Sequence, residues 1–127
     1  MYRSLAITAL LAAAGASAPT LAHHAFAAVF DGNAPIQLSG TVSRVEWMNP
    51  HVWFYVDVRN EGDAIESWAF EMGSPNALVR RGWRSSMLEP GTLVNVDAFL
   101  AKDGSKRAAV EAVTLASGER LFGAQQK

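Results

Sequence analysis

All three histidines of this chain fall in two short segments. His23 and His24 are adjacent, and His51 follows Asn49 and Pro50. A histidine at a chain terminus can bind one metal ion through both its α-amine and its ring, and a further imidazole completes a three-nitrogen set that suits Cu(II). The spacing therefore indicates a copper site, provided that the mature chain starts at His23. The ordinary alternative is that His23 and His24 form an unstructured end and that His51 caps a strand by bonding to the backbone.

The first part of the chain predicts such a start. Arg3 supplies a positive charge, residues 5–16 are almost entirely apolar or small, and residues 20–22 end in small side chains. This is the pattern of a secretory signal peptide, and the apolar run is too short to cross a bilayer. Cleavage after Ala22 would leave His23 as the first residue. We therefore expect a periplasmic or secreted protein whose residues 1–22 are removed.

Composition narrows the class of partner. The chain has 127 residues, 50% of them hydrophobic, with 11 basic and 12 acidic side chains and no cysteine. Its length predicts one domain, which must be held by its own core because no disulfide can form. The slightly negative net charge offers no basic field for nucleic acid. No second apolar run is long enough for a membrane helix, so we expect no transmembrane segment in the mature chain.

Two further groups of side chains could bind a ligand. Trp53 and Tyr55 alternate with apolar residues, which predicts an aromatic pair on the outer face of a sheet. Arg80, Arg81 and Trp83 form a basic cluster beside an aromatic ring, which could receive a carboxylate or a phosphate. The alternatives are that the rings are packed sheet residues and that the arginines are a solvated helix end.

Catalytic motifs are absent from the sequence. It contains no cysteine nucleophile, no phosphate-binding loop, no Gly-x-Ser-x-Gly and no His-Glu-x-x-His. We therefore favour a binding role over an enzymatic one.

The elements that must position these residues follow from alternation of apolar and polar side chains. Five strands are predicted, over Ile36–Trp47, His51–Arg59, Ile65–Met72, Leu93–Leu100 and Arg107–Leu115. Ser74 and Pro75 predict the start of a short helix that ends near Gly82, with Leu78 and Trp83 as its core contacts. Three strands, a helix and two strands are typical of an all-β, five-stranded OB-like barrel. A small β-sandwich is the alternative.

The predicted interior is formed by alternate residues of two strands. These inward-facing side chains are Val52, Phe54, Val56 and Val58, and Val94, Val96, Ala98 and Leu100. The first strand changes face between Val42 and Val45, which indicates a bulge or bend. The predicted organisation is a signal peptide (1–22), an N-terminal arm (23–35), the barrel domain (36–123) and a C-terminal tail (124–127).

Several short segments, in this order, resemble an uncharacterised family of small exported bacterial proteins, the domain of unknown function 6152. They are His23-His24-Ala25-Phe26, Leu38-Ser39-Gly40-Thr41-Val42, Glu46-Trp47-Met48-Asn49-Pro50-His51, Gly73-Ser74-Pro75-Asn76, Arg80-Arg81-Gly82-Trp83 and Lys102-Asp103-Gly104-Ser105. The resemblance covers nearly the whole mature chain and implies a small exported β domain. It implies no activity.

Together these observations predict an exported, non-enzymatic periplasmic binding or accessory protein that binds copper through a histidine-led N-terminus. The alternative is a module that binds a protein or a small ligand on the aromatic face around Trp53 and Tyr55.

Overall fold

Six strands and three short helical segments form the part of the chain that the computed structural model describes, residues 25–125. The strands are β1 (Phe30–Glu46), β2 (Trp53–Arg59), β3 (Ile65–Glu71), β4 (Leu93–Ala101), β5 (Arg107–Leu115) and β6 (Arg120–Phe122). An α-helix (Pro75–Arg80) and a 3-10 helix (Ser85–Met87) lie between β3 and β4. Residues 25–29, which precede β1, are helical. The predicted signal peptide, His23 and His24 lie outside the described residues.

The first five strands close into a ring. Their order is β3-β2-β1-β4-β5, and a parallel pairing of β3 with β5 joins the two ends of the sheet. The neighbouring pairs along the sheet are antiparallel, and β6 adds to the free edge of β5. The ring and the helix between its third and fourth strands confirm the predicted all-β class and its OB-like arrangement.

The first strand, β1, pairs with both β4 and β2 because it bends. Its residues up to Thr41 pair with β4, and from Thr41 onward it pairs with β2. The register shifts between Val42 and Arg44, which confirms the predicted bulge. Gly40 lies at the bend, where a Cβ atom would be only 2.2 Å from the Asp57 carbonyl oxygen. A side chain at this position would therefore push β1 and β2 apart.

The interior of the ring is a continuous apolar cluster. In β2, Phe54 and Val56 are fully buried, whereas Trp53 and Tyr55 are half-buried on the opposite face. The predicted alternation is therefore confirmed for this strand. The helix contributes Leu78, and Trp83 follows it into the same cluster, as predicted.

The end of β4 departs from the predicted alternation. Leu100 was expected inside but is only half-buried, whereas its neighbours Phe99 and Ala101 are buried. Phe99 and Ala101 are buried because they pack with Phe26 and Phe30 in a second apolar cluster on the outside of the ring, whereas Leu100 pairs with the interior residue Ala108 near the end of the strand. The helical segment 25–29 therefore covers the outer face of β4, which the alternation of its residues predicts to be exposed to solvent.

The turn between β4 and β5 fastens this segment. The Lys102 backbone N–H donates to the Val29 carbonyl at 2.8 Å, and the Lys102 ammonium donates to the Ala27 carbonyl. Asp103 accepts a hydrogen bond from the Ser105 N–H at 2.9 Å, which shapes the turn. The segment Lys102-Asp103-Gly104-Ser105 is thus a hairpin turn, as predicted, that also holds residues 25–29 against the ring.

Two elements differ from the predicted ones. β1 begins at Phe30, earlier than the predicted Ile36, because Phe30 pairs with Ala101 of β4. The register then shifts, and regular pairing with β4 resumes at Pro35. β6 was not predicted, and its three residues pair with Ala112, Val113 and Thr114. Such short or irregular pairings depend on the partner strand and leave little periodicity in the sequence.

Candidate functional site

A groove of about 400 Å³ lies where the helical segment 25–29 meets the start of β2 and the end of β3. Phe26 and Val29 supply apolar lining from the first of these elements. His51 and Glu71 supply polar groups from the turn before β2 and from the end of β3. A concave site with apolar walls and a few converging polar groups is the usual form of a ligand site.

His51 and Glu71 contact each other in this groove. The Nδ1 atom of His51 lies within hydrogen-bonding distance of a Glu71 carboxylate oxygen. The His51 side chain is 46% exposed and that of Glu71 only 13%. The carboxylate therefore lies on the protein side of the pair, and the imidazole reaches solvent.

The backbone fixes both partners. Immediately after His51, Val52 donates its N–H to the Gly73 carbonyl at 3.0 Å and accepts from the Met72 N–H at 2.9 Å. These bonds continue the β2–β3 ladder to the edge of the groove, just beyond the last registered pair, Trp53 with Glu71. His51 and Glu71 are thus brought together by register, although 20 positions separate them in the sequence.

The C-terminal segment closes another side of the groove. Gly73 donates its N–H to the Gly123 carbonyl at 2.8 Å, and the Gln125 side chain donates to the Glu71 carbonyl at 2.9 Å. A Cβ atom on Gly73 would lie 2.6 Å from the Ala124 carbonyl oxygen, so only glycine allows this approach. The Ser74 hydroxyl is already engaged, because it accepts the Ala77 N–H at 3.2 Å and caps the helix.

Of the predicted metal ligands, only His51 is among the described residues. Ala25, the residue that follows His24, lines the same groove as His51. Within residues 25–125, no three histidine, cysteine or acidic side chains are grouped so that they could hold a metal ion by themselves.

Glu71 was missed by the sequence reasoning. It lies in a strand that was predicted correctly, but nothing in its local sequence separates it from the other acidic residues of the chain. Its proximity to His51 follows from the register of β2 with β3, in which Trp53 pairs with Glu71. This register is not visible in the sequence.

The aromatic pair Trp53 and Tyr55 lies on the outer face of β2, half-buried. The Arg44 guanidinium covers the Tyr55 ring, 4.0 Å from its centroid, and forms an ion pair with Glu46 at 3.3 Å. One face of this ring is thus already occupied by a cation–π contact.

The basic cluster is divided by the fold. Arg80 and Arg81 are exposed at the end of the helix. Trp83 is only 1% exposed, and its indole N–H donates to the Phe122 carbonyl at 2.9 Å. The Trp83 side chain therefore packs in the core and joins the end of the helix to β6, while the two arginines remain at the surface.

Two carboxyl groups have clearly lowered pKa values, and both belong to hairpin ends. The Asn60 amide and then the Lys106 ammonium lower the pKa of Glu66, and hydrogen bonds from Ser105 lower that of Asp103. Neither residue lines the groove. Perturbed acids can mark functional sites, but here hydrogen bonding within and between turns explains them.

A family model matches residues 10–110 of the chain and is described as a family of unknown function, DUF6152. The chain belongs to this family. Membership confirms the resemblance seen in the sequence, and the matched region of this DUF6152 protein contains His23, His24, His51 and Glu71. No curated protein matches the chain. Among the described residues, no helix is both long and apolar enough to cross a membrane.

Proposed function

We propose that this DUF6152 protein is an exported, non-enzymatic protein that binds one Cu(II) ion at the groove beside His51. The donors are the α-amine and the imidazole of His23, at the start of the processed chain, and the imidazole of His51. His24 is the alternative third nitrogen. Three nitrogens in one plane match the tetragonal geometry that Cu(II) prefers.

The observation that carries the proposal is that Ala25 and His51 line one groove. One peptide bond separates Ala25 from His24, and two separate it from His23. Since each residue spans at most about 3.6 Å, the Cα atom of His23 can be no more than roughly 7 Å from that of Ala25. His23 is therefore tethered within this distance of a residue that lines the groove, which is why we propose its amine and its imidazole as donors beside His51.

The attachment of residues 25–29 to the ring of strands supports the same function. Phe26 is buried in the outer cluster, and Lys102 binds the carbonyls of Ala27 and Val29. Residues 25–29 are therefore attached to the ring at several points. A donor that enters from an attached segment loses less conformational entropy on binding than one on a free chain.

The first test measures the start of the processed chain and its affinity for copper. Intact mass of the exported protein should correspond to a chain that begins at His23. Titration calorimetry with Cu(II) at neutral pH should then show one site, tighter than that of an unstructured histidine-containing peptide. A start at another residue, or copper binding no tighter than the peptide's, would overturn the proposal and leave the ligand-binding module on the Trp53–Tyr55 face as the remaining function.

Two variants identify the donors, and each has a control. An extra Ala-Pro before His23 converts the chelating amine to an amide, and its proline has no N–H that Cu(II) could displace to form a new chelate, so binding should weaken strongly. An extra Ala-Pro after Lys127 is the matched control and should not weaken it. His51→Ala should weaken binding if His51 is the third nitrogen. It should have no effect if His24 is. Asn76→Ala, at an exposed helix position, controls for unspecific effects of substitution.

A further inference from the structure

We infer that Glu71 is a positioning residue that decides which nitrogen of His51 is offered to a ligand. The carboxylate holds Nδ1 as a hydrogen-bond donor, and the lone pair of Nε2 is left free. The inference deepens the proposed copper site and rests on it for its metal-binding part. Its structural part concerns the metal-free protein alone.

The contact itself fixes the tautomer. An ionised carboxylate can only accept hydrogen bonds, so the His51 nitrogen beside it must carry the proton. That nitrogen is Nδ1. In the neutral ring the second nitrogen, Nε2, is then unprotonated and can act as a metal ligand. An unconstrained histidine side chain favours the opposite tautomer, with the proton on Nε2, so the contact reverses the intrinsic preference.

Glu71 is well placed to impose this choice because its own position is fixed from several sides. Its backbone pairs with Trp53 of β2 and with Ala109 of β5, at the point where β3 joins both strands. The Gln125 side-chain amide donates a hydrogen bond to the Glu71 carbonyl oxygen at 2.9 Å. The carboxylate is mostly buried, whereas His51 lies in an exposed turn outside any strand. The glutamate is therefore the fixed partner, and the histidine is the one that it orients.

Carboxylate–histidine pairs of this kind are common around protein-bound metals. The carboxylate orients the ring and makes the ligating nitrogen more basic, and its loss typically weakens metal binding about 10–100-fold. The same result is expected here for Glu71→Ala. Glu71→Gln keeps the size and the accepting oxygen but removes the charge, so its affinity should fall between those of the wild type and of Glu71→Ala.

The test begins without metal. Long-range proton–nitrogen correlation spectra of the processed protein, at a pH where the imidazoles are neutral, report which ring nitrogen carries the proton, and His51→Ala assigns the signals of His51. We expect the Nδ1–H tautomer in the wild type and a return toward the Nε2–H tautomer in Glu71→Ala. Glu66 is a carboxylate of the same strand and accepts a hydrogen bond from Asn60. Glu66→Gln is therefore the control for Glu71→Gln and should leave the His51 signals unchanged.

The outcomes separate this inference from the proposed function. The Nε2–H tautomer in the wild type, or a tautomer that is the same in wild type, Glu71→Gln and Glu71→Ala, would overturn the positioning role. If Glu71→Ala does not fold, Glu71→Leu, which keeps a similar volume but offers no hydrogen-bond acceptor, is measured in its place. The Nδ1–H tautomer in a protein that binds no copper would support the positioning role and overturn the copper site. A copper affinity in Glu71→Ala equal to that of the wild type would overturn the metal-binding part of this inference.

Discussion

The two apolar clusters of this protein differ in what they hold together. The interior cluster lies inside the ring and receives side chains from β1 to β6 and from the helix. The outer cluster has five buried residues, and it joins the start of the chain to β4 and β5. The interior cluster closes the ring, whereas the outer cluster sets the place at which the N-terminal segment meets it.

This difference separates folding from the candidate site. The ring should be able to form without residues 25–29, because its strands bury their apolar faces against one another. The groove cannot, because Ala25, Phe26 and Val29 are part of its lining. We therefore expect substitutions in the interior cluster to change stability, and substitutions in the outer cluster to change binding more than stability.

The largest effect is expected for Phe54→Ala. Phe54 is fully buried and stacks on Phe70, with the ring centroids 5.3 Å apart. Its truncation should lower the free energy of unfolding by about 3–5 kcal/mol, because it leaves a cavity in a closed ring. Urea denaturation measures this loss. A loss no larger than that of Phe26→Ala would remove the distinction between the clusters.

Smaller losses are expected for Val56→Ala and Val96→Ala. Both side chains are fully buried, and each truncation should cost about 1–3 kcal/mol of unfolding free energy. Trp53→Ala should cost less, although it removes more atoms, because Trp53 is only half-buried on the outer face of β2. The three variants are compared by denaturation under identical conditions. Equal losses at all three positions would contradict the assignment of inner and outer faces.

Phe26→Ala should have a smaller effect on stability than Phe54→Ala and a clear effect on binding. Phe26 packs on Phe30 and Phe99, with centroid distances of 5.6 and 6.3 Å. We expect a loss of about 1.5 kcal/mol, at the lower end of the value for burying such a side chain, because residues 25–29 can detach while the ring stays folded. Copper affinity should fall in the same variant. Phe122→Ala removes an exposed ring and is the control. Unchanged copper affinity in Phe26→Ala would show that the outer cluster does not position the site.

Much of the ring could be predicted from local patterns. The alternation in β2 identified its buried and outer faces, and Ser74 followed by Pro75 identified the helix start. Each of these signals depends on residues a few positions apart. Side-chain alternation in a strand and capping at a helix start act over that same short range, so they are visible in one sequence.

The parts that could not be predicted depend on pairing between distant segments. The burial of Phe99 and Ala101 was not predicted because nothing in β4 shows that Phe26 and Phe30 cover their face of the strand. Glu71 was not recognised as the partner of His51 because their meeting depends on the register of β2 with β3. A shift of that register by one residue would move Glu71 to the opposite face of the sheet.

The sequence by itself determined the all-β class, the order of strands and helix, the family and the positions of three histidines. These follow from composition, periodicity and motifs, which are properties of neighbouring residues. Only the tertiary structure decided that Ala25, His51 and Glu71 line one groove, and that Phe26 and Phe30 pack on Phe99. The physical reason is that closing the ring and docking residues 25–29 join segments far apart in the chain, and the free energy that selects those contacts comes from burial that no single segment can achieve.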